Sequence, residues 1–282
     1  MAAPQELEQK ISALVRGLPP LDASVEELLA AAADGSLDHA AVARLVAADS
    51  GLCASLLFLA NCSCYARNPD GKSVETVPDA LDAVDVQSLA AMVGTSYAFR
   101  TVETELAPPR KQWTDYVRHS REISSICTIL AELAGLTAPQ QERYTVAGLT
   151  HDIGRVVIMV AAQNTSASLL GTSPDQMASI VADEEAAYGM DHCRIGHALF
   201  RRWGFSDDMQ AGILRHHAPL LKQDFCFPGG LIFVSHFVTM SDFTGAIIAK
   251  MLPAELLRRL GLTAAEMDRA RNLCALRAQH SR

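Results

Sequence analysis

Along almost the whole of this chain, apolar side chains recur three and four residues apart and rarely alternate. A period near 3.6 places such residues on one face of a helix, whereas a half-buried strand needs a period of two. Ala and Leu dominate, and aromatic residues make up only 6%, a composition that suits helices. The chain is therefore expected to be all-α.

Residues 5–16 predict a short amphipathic helix through Leu7, Ile11, Leu14 and Val15, stopped by "GLPP". Asp22 or Ser24 caps the next helix, with Glu26 and Glu27 in its first turn. Two more helices follow, one through Val42, Leu45 and Val46 and one through Leu52, Leu56, Leu57 and Leu59. "RNPDGK" is a turn, and 76–103 reads as a helix pair. The clearest internal boundary is "ELAPPRKQW" at 105–113, because Pro-Pro stops a helix. It divides the chain into an N-terminal helix (1–17), an N-terminal helical part (18–108) and a second helical part (109–282). The second part predicts helices at 114–135, 173–188, 192–203, 207–217, 229–250 and 263–278.

A length of 282 residues is ample for a real core, and 49% apolar with 20% charged residues describes a folded chain. The net charge of −8 argues against nucleic acid as a partner, and Arg201 and Arg202 in "LFRRWGF" do not by themselves make a basic face. No apolar run approaches the ~20 residues that cross a bilayer, and Glu6 and Glu8 stand where a signal peptide is greasy. The expected location is cytoplasmic, with no membrane partner. The seven cysteines are scattered without a Cys-x-x-Cys and read as reduced core thiols. Cys62 and Cys64 in "NCSCY" are a candidate redox or metal pair.

Histidine is distributed unevenly. Of nine, seven fall between positions 119 and 236. His119 precedes Ile123 and Ile126 at helical spacing, and Asp115 lies one turn earlier on the same face. "GLTHDIGRVVI" at 148–158 sets His151 beside Asp152 at the start or in the middle of an apolar helix. His192 shares a stripe with Ile195 and Leu199, and His216 and His217 end a helix that buries Met209 and Ile213. Asp242 continues the stripe of Leu231, Val234 and Val238. Five helices thus aim a His or an Asp inward. A buried unpaired carboxylate is costly, and a bound cation relieves it. Mixed His/Asp ligation suits a borderline or hard divalent metal: Fe, Mn, Zn or Mg. A lone inward histidine is more often a core residue, and His39, His197 and His236 are read that way or as surface residues.

These segments together resemble the HDOD domain, the HD-related output domain of bacterial signalling proteins within the HD phosphohydrolase superfamily. The similar stretches run from "LPPLDASVEELLAAA" through "VAADSGLCASLLFLANCSCYA" and "WTDYVRHSREISSICTILAELAGL" to "AGLTHDIGRVVIMV". They end with "EEAAYGMDHCRIGHALFRRWGFSDDMQAGILRHHAP", so the resemblance covers 18–219. It implies a multi-helix HDOD fold, a helical bundle packed on an HD-like helical domain. The superfamily's His, His-Asp and distal Asp fall on His119, His151, Asp152 and Asp242. Resemblance to HD-GYP phosphodiesterases adds His192, His216, His217 and, one turn before the first His, Asp115. Two departures stand out. Val84–Asp85 replaces a common Leu-Gly, and "HHAPLLKQDFCFPGG" lacks the GYP tripeptide, which speaks against cyclic-di-GMP hydrolysis.

Two functions follow from the resemblance. In the first, the chain is a regulatory module. Its N-terminal helices bind signalling protein partners, and the HD-like pocket holds a divalent metal or a phosphorylated, nucleotide-type ligand. In the second, it is a metal-dependent phosphohydrolase acting on a nucleotide or cyclic dinucleotide, where Asp152 and Arg155 take catalytic roles and Arg155 contacts phosphate. Outside that case Arg155 reads as a surface arginine.

Overall fold

The computed structural model describes residues 4–34, 36, 38–48, 76, 79–81, 86–162, 174–222, 224–240 and 242–280. Among these the chain is helical, with loops and one antiparallel hairpin, β1 (Leu220–Leu221) with β2 (Asp224–Phe225). The helices are α1 (Pro4–Gly17), α2 (Ala23–Asp34), α3 (His39–Ala48), α4 (Val86–Leu106), α5 (Arg110–Leu133), α6 (Ala138–Thr150) and α7 (Ile153–Ala161). Then come α8 (Pro174–Tyr188), α9 (His192–Arg202), α10 (Asp207–Arg215), α11 (Phe227–Thr239), α12 (Gly245–Met251), α13 (Ala254–Leu260) and α14 (Ala264–His280). The helix expected through Leu52–Leu59, the Cys62/Cys64 pair and Val84–Asp85 lie outside the described residues.

Local chemistry explains most of the boundaries. Asp22 Oδ1 accepts the Ser24 N–H at 2.9 Å and also its hydroxyl, so Asp22 is the cap that opens α2. The Pro108–Pro109 pair separates α4 from α5 as expected. One expectation fails, and one helix was not expected. The single helix predicted over 229–250 is two helices, because the backbone turns extended at Met240 (φ −72, ψ 107). A new cap, the Thr244 hydroxyl accepting the Ile247 N–H, then starts α12. The seven-residue α13 is too short to show a periodic pattern.

Side-chain burial divides into two apolar cores. The first joins α1–α4, α7, α9 and α10 and includes Leu89, Ile153, Ile195, Phe200 and Trp203. The second joins most of α5 to α11–α14, with Ile123, Ile129, Leu231, Val234 and Leu256. Residues on both sides of the Pro-Pro break contribute to the first core. Helices α5 and α6 reach both: Tyr116 and Val146 belong to the first, Ile123 and Ala147 to the second. Full burial of each such side chain is worth about 1.5–3 kcal/mol. The N-terminal helices are also tied down by polar contacts. Lys10 Nζ donates to the Ala161 carbonyl at 2.6 Å, and Trp203 Nε1 donates to the Pro19 carbonyl at 3.2 Å.

Candidate metal centre

Polar groups gather at the seam between the two cores. His151 ends α6 and Asp152 is the N-cap of α7, so the His-Asp pair occupies a break between two helices. Asp is a favoured N-cap residue, a role worth about 1 kcal/mol. Asp152 nevertheless makes no side-chain capping bond. Its carboxylate turns inward, fully buried, toward four imidazoles. Asp152 Oδ1 lies 3.2 Å from His192 Nε2 and 3.4 Å from His216 Nε2. Oδ2 lies 3.3 Å from His151 Nε2 and 3.7 Å from His119 Nε2. Each oxygen therefore faces its own pair of histidines.

The turn brings its neighbours very close. A Cβ on Gly154 would stand 2.1 Å from the His192 carbonyl oxygen, so only glycine lets α7 meet the start of α9. Asp191 caps α9 by accepting the Arg194 N–H at 2.9 Å, which fixes His192 in the first turn.

The hydrogen bonds determine which nitrogen is bare. His151 Nδ1–H donates to the Gly148 carbonyl and His216 Nδ1–H to the Ile213 carbonyl, both at 2.7 Å. His192 Nδ1–H donates to Glu184 Oε2 at 2.5 Å, and the same oxygen accepts the His192 backbone N–H at 2.9 Å. All three rings then present an Nε2 lone pair to the carboxylate. His192 Nε2 and His216 Nε2 are 3.1 Å apart, two lone pairs with no proton between them. Among the described residues, the buried atoms His119 Nε2, His151 Nε2, both Asp152 oxygens, both His217 nitrogens and His236 Nε2 have no hydrogen-bond partner. Divalent cations placed between these groups would give the bare lone pairs a partner. Metal–ligand bonds of about 2.0–2.1 Å set neighbouring ligand atoms about 2.9–3.4 Å apart, close to the observed spacing. The Nδ1–H bonds to carbonyls and a carboxylate are what orient metal-binding histidines and set their tautomers.

Electrostatics point the same way. Burial alone raises the Asp152 pKa, yet the opposing groups, the Arg155 guanidinium first among them, hold the carboxyl well below the usual range. Burial pushes His192, His217 and His236 well below the ordinary imidazole value, lowers His216, and takes His119 down to about 3. Those five imidazoles are therefore neutral, in the state that binds metals, and Arg155 is the cation that counts for Asp152. Burial pushes Glu184 up to about 7, against the pull of Arg155 and the His192 N–H.

His119, His151, Asp152, His192, His216 and His217 thus come together as the sequence suggests. Asp242 does not join them. Helix α11 stops at Thr239, so the stripe through Val238 never reaches position 242, which is exposed in the following turn. Asp115 also stays outside: its side chain is 37% exposed and pairs with Arg118 at 2.8 Å. His236, read from sequence as core or surface, takes an inner place instead, its ring 4.9 Å from His151 and 5.2 Å from His119. Arg155 is no surface arginine. It is 3% exposed, with Nε 3.2 Å from Asp152 Oδ1 and 3.8 Å from Glu184 Oε1. Sequence reasoning missed Glu184 and Cys193 altogether. The Cys193 Sγ lies 3.4 Å from His192 Nε2. For His236 a signal existed: "LIFVSHFV" is apolar on every face, so any polar residue in it must be buried.

A helical scaffold with histidines around a buried His-Asp pair is the arrangement of an HD-type domain. The family profile of the HDOD domain matches residues 18–219, and the chain belongs to that family. No curated protein sequence matches it. Among solved structures it is similar to an HDOD domain protein of unknown function from Geobacter sulfurreducens, at 22% identity and TM-score 0.62, covering 98% of this chain and 95% of that one. It is also similar to a Shewanella amazonensis SB2B protein provisionally labelled a phosphohydrolase, at 20% identity, TM-score 0.65 and 94% of both chains. A third is a Marinobacter aquaeolei VT8 protein provisionally labelled for signal transduction, at 17% identity and TM-score 0.63. That likeness covers 97% of this chain and 64% of that one. No described helix is long and apolar enough to cross a membrane.

Proposed function

We propose that this chain is a regulatory signal-transduction module of the HDOD type that holds a divalent metal in its His-Asp cluster and acts through protein partners. One observation carries the metal: three imidazoles with committed Nδ1–H groups aim their Nε2 lone pairs at one buried carboxylate. His119, His151, Asp152 and His236 would hold the cation on one side, and His192, His216 and His217 on the other. Burial supports a regulatory role. Asp152, His151, His192 and His216 are fully buried, while the side chains of His119 and Glu184 are only 13% and 12% exposed. A phosphoester would need a far wider approach to the metal.

A second reading, a phosphohydrolase acting on a nucleotide or cyclic dinucleotide, draws on a different observation. The two Asp152 oxygens face separate histidine pairs, a donor set rich enough for two metals, with a buried arginine beside it. A bound metal would supply an activated water and a Lewis acid there. Arg155 would keep Asp152 ionised, and Glu184 would hold the His192 ring in place. The labels of the Shewanella and Marinobacter proteins divide between the two readings.

The test is elemental analysis of protein purified without chelator or metal affinity resin, beside Asp152→Ala. The proposal expects about one to two equivalents of metal in wild type and loss in the variant. No metal in either protein overturns it. A phosphodiester screen of the metal-loaded protein then separates the readings: turnover that Asp152→Ala abolishes makes it a hydrolase.

A further inference from the structure

The metal-binding reading takes its donors from His and Asp, yet a sulfur stands among them. Cys193, the second residue of α9, is 3% exposed and in no disulfide. Its Sγ lies 3.4 Å from His192 Nε2 and 4.0 Å from His216 Nε2. Those two nitrogens are 3.1 Å apart, and each lies within 3.4 Å of Asp152 Oδ1. These distances give five of the six edges of a tetrahedron. With metal–sulfur bonds of about 2.3 Å and metal–nitrogen bonds of about 2.0–2.1 Å, tetrahedral geometry requires N···N and N···O edges of about 3.4 Å and S···N edges of about 3.6 Å. The S···N edges of 3.4 and 4.0 Å fall on either side of their value, and the N···N and N···O edges of 3.1, 3.2 and 3.4 Å fall at or slightly below theirs. His217, with both ring nitrogens lacking a hydrogen-bond partner, stands beside the set as a further donor.

A plainer account makes the thiol a hydrogen-bond donor to His192 Nε2. It satisfies one lone pair and leaves the others. The His216 Nδ1–H is committed to Ile213, so its Nε2 lone pair still faces His192 at 3.1 Å. The buried Asp152 Oδ1 still accepts no hydrogen bond.

We infer that Cys193 is a metal ligand, which makes the His192–His216 half of the centre a thiolate-containing site selective for zinc-like ions over magnesium or manganese. The inference rests on the metal-binding reading above. On binding, the Cys193 S–H proton is released to solvent and the thiolate donates to the cation. A soft sulfur donor favours zinc, cobalt or iron(II), whereas an all-His/carboxylate site would also accept harder ions. The His119–His151 half has no sulfur within ligand range among the described residues, so the two halves would differ in metal preference.

The test loads the full chain with cobalt(II), and separately with zinc(II), in wild type, Cys193→Ser and Cys274→Ser. Wild type should show a near-ultraviolet sulfur-to-cobalt band and, with zinc, a sulfur shell at about 2.3 Å by X-ray absorption. Cys193→Ser should lose both and bind zinc at least about 100-fold more weakly, while Cys274→Ser keeps both. Cys193→Ala replaces the serine variant if that fails to fold. Cobalt or zinc bound through nitrogen and oxygen alone, or a sulfur shell that survives Cys193→Ser, overturns this inference and leaves the metal reading standing. No metal bound by wild type sinks both.

Discussion

Gly154→Ala offers a sharp test of the geometry at the His-Asp turn. In an ordinary helix this change is favourable, worth about 0.8–1.0 kcal/mol. Here the new methyl would stand 2.1 Å from the His192 carbonyl oxygen and 2.8 Å from the Gly196 nitrogen. Both are backbone atoms that no rotamer change can move. Reaching the 3.4 Å of ordinary contact requires α7 and α9 to part by about 1.3 Å. Overpacking of this kind costs about 3 kcal/mol. Set against the helix gain, the net loss is about 2 kcal/mol, or a melting temperature lower by roughly 4–8 °C for a chain of this size. The same movement carries His192 away from Asp152, so metal content should fall alongside stability. Thermal unfolding followed by circular dichroism, with elemental analysis of the same samples, reads both. A variant as stable as wild type, with its metal retained, would refute the close approach of α7 to α9 and the site built on it.

Other expectations follow from single contacts. Glu184→Gln removes the carboxylate that receives His192 Nδ1–H, so metal affinity should fall about 10–100-fold; isothermal titration with zinc measures it. Asp242→Asn should leave metal stoichiometry unchanged and stability within about 0.5 kcal/mol, whereas His236→Ala should lower metal content, which separates the donor set proposed from the geometry from the one the family pattern implies. Trp203→Phe forfeits the indole bond to Pro19 and should cost about 1–3 kcal/mol in urea unfolding. Burial pushes the Cys127 thiol up to about 12, only partly offset by its contact with Ser235. Iodoacetamide at pH 8 should therefore leave Cys127 unlabelled in the folded protein and label it once urea is added, as read by mass spectrometry.

Helical class and most boundaries were legible because they depend on local chemistry: spacing, Pro-Pro, and caps such as Asp22. The site was legible where a polar residue shares a helical stripe with apolar ones, as His119 and His192 do. The same rule failed at Asp242, since a stripe is meaningful only while the helix lasts, and α11 ends three residues earlier. It failed for Asp115, where a local partner, Arg118, competes for the carboxylate. Arg155 looked like a surface residue because Asp152, one turn earlier, is buried only by the tertiary structure, and Glu184 lies 29 positions away. Cys193 was unreadable for a related reason. Its proposed role depends on His216, 23 positions away.

The candidate centre takes its donors from positions 119 to 236 and stands where the two apolar cores meet. Contacts between such distant positions form only after the intervening loops have closed, so they come late in folding. A chain with its helices formed but its cores undocked has every donor and no site. On the proposal that this centre binds a metal, metal capacity is a property of finished molecules, and titrating it counts the fraction of a preparation that has completed its tertiary structure.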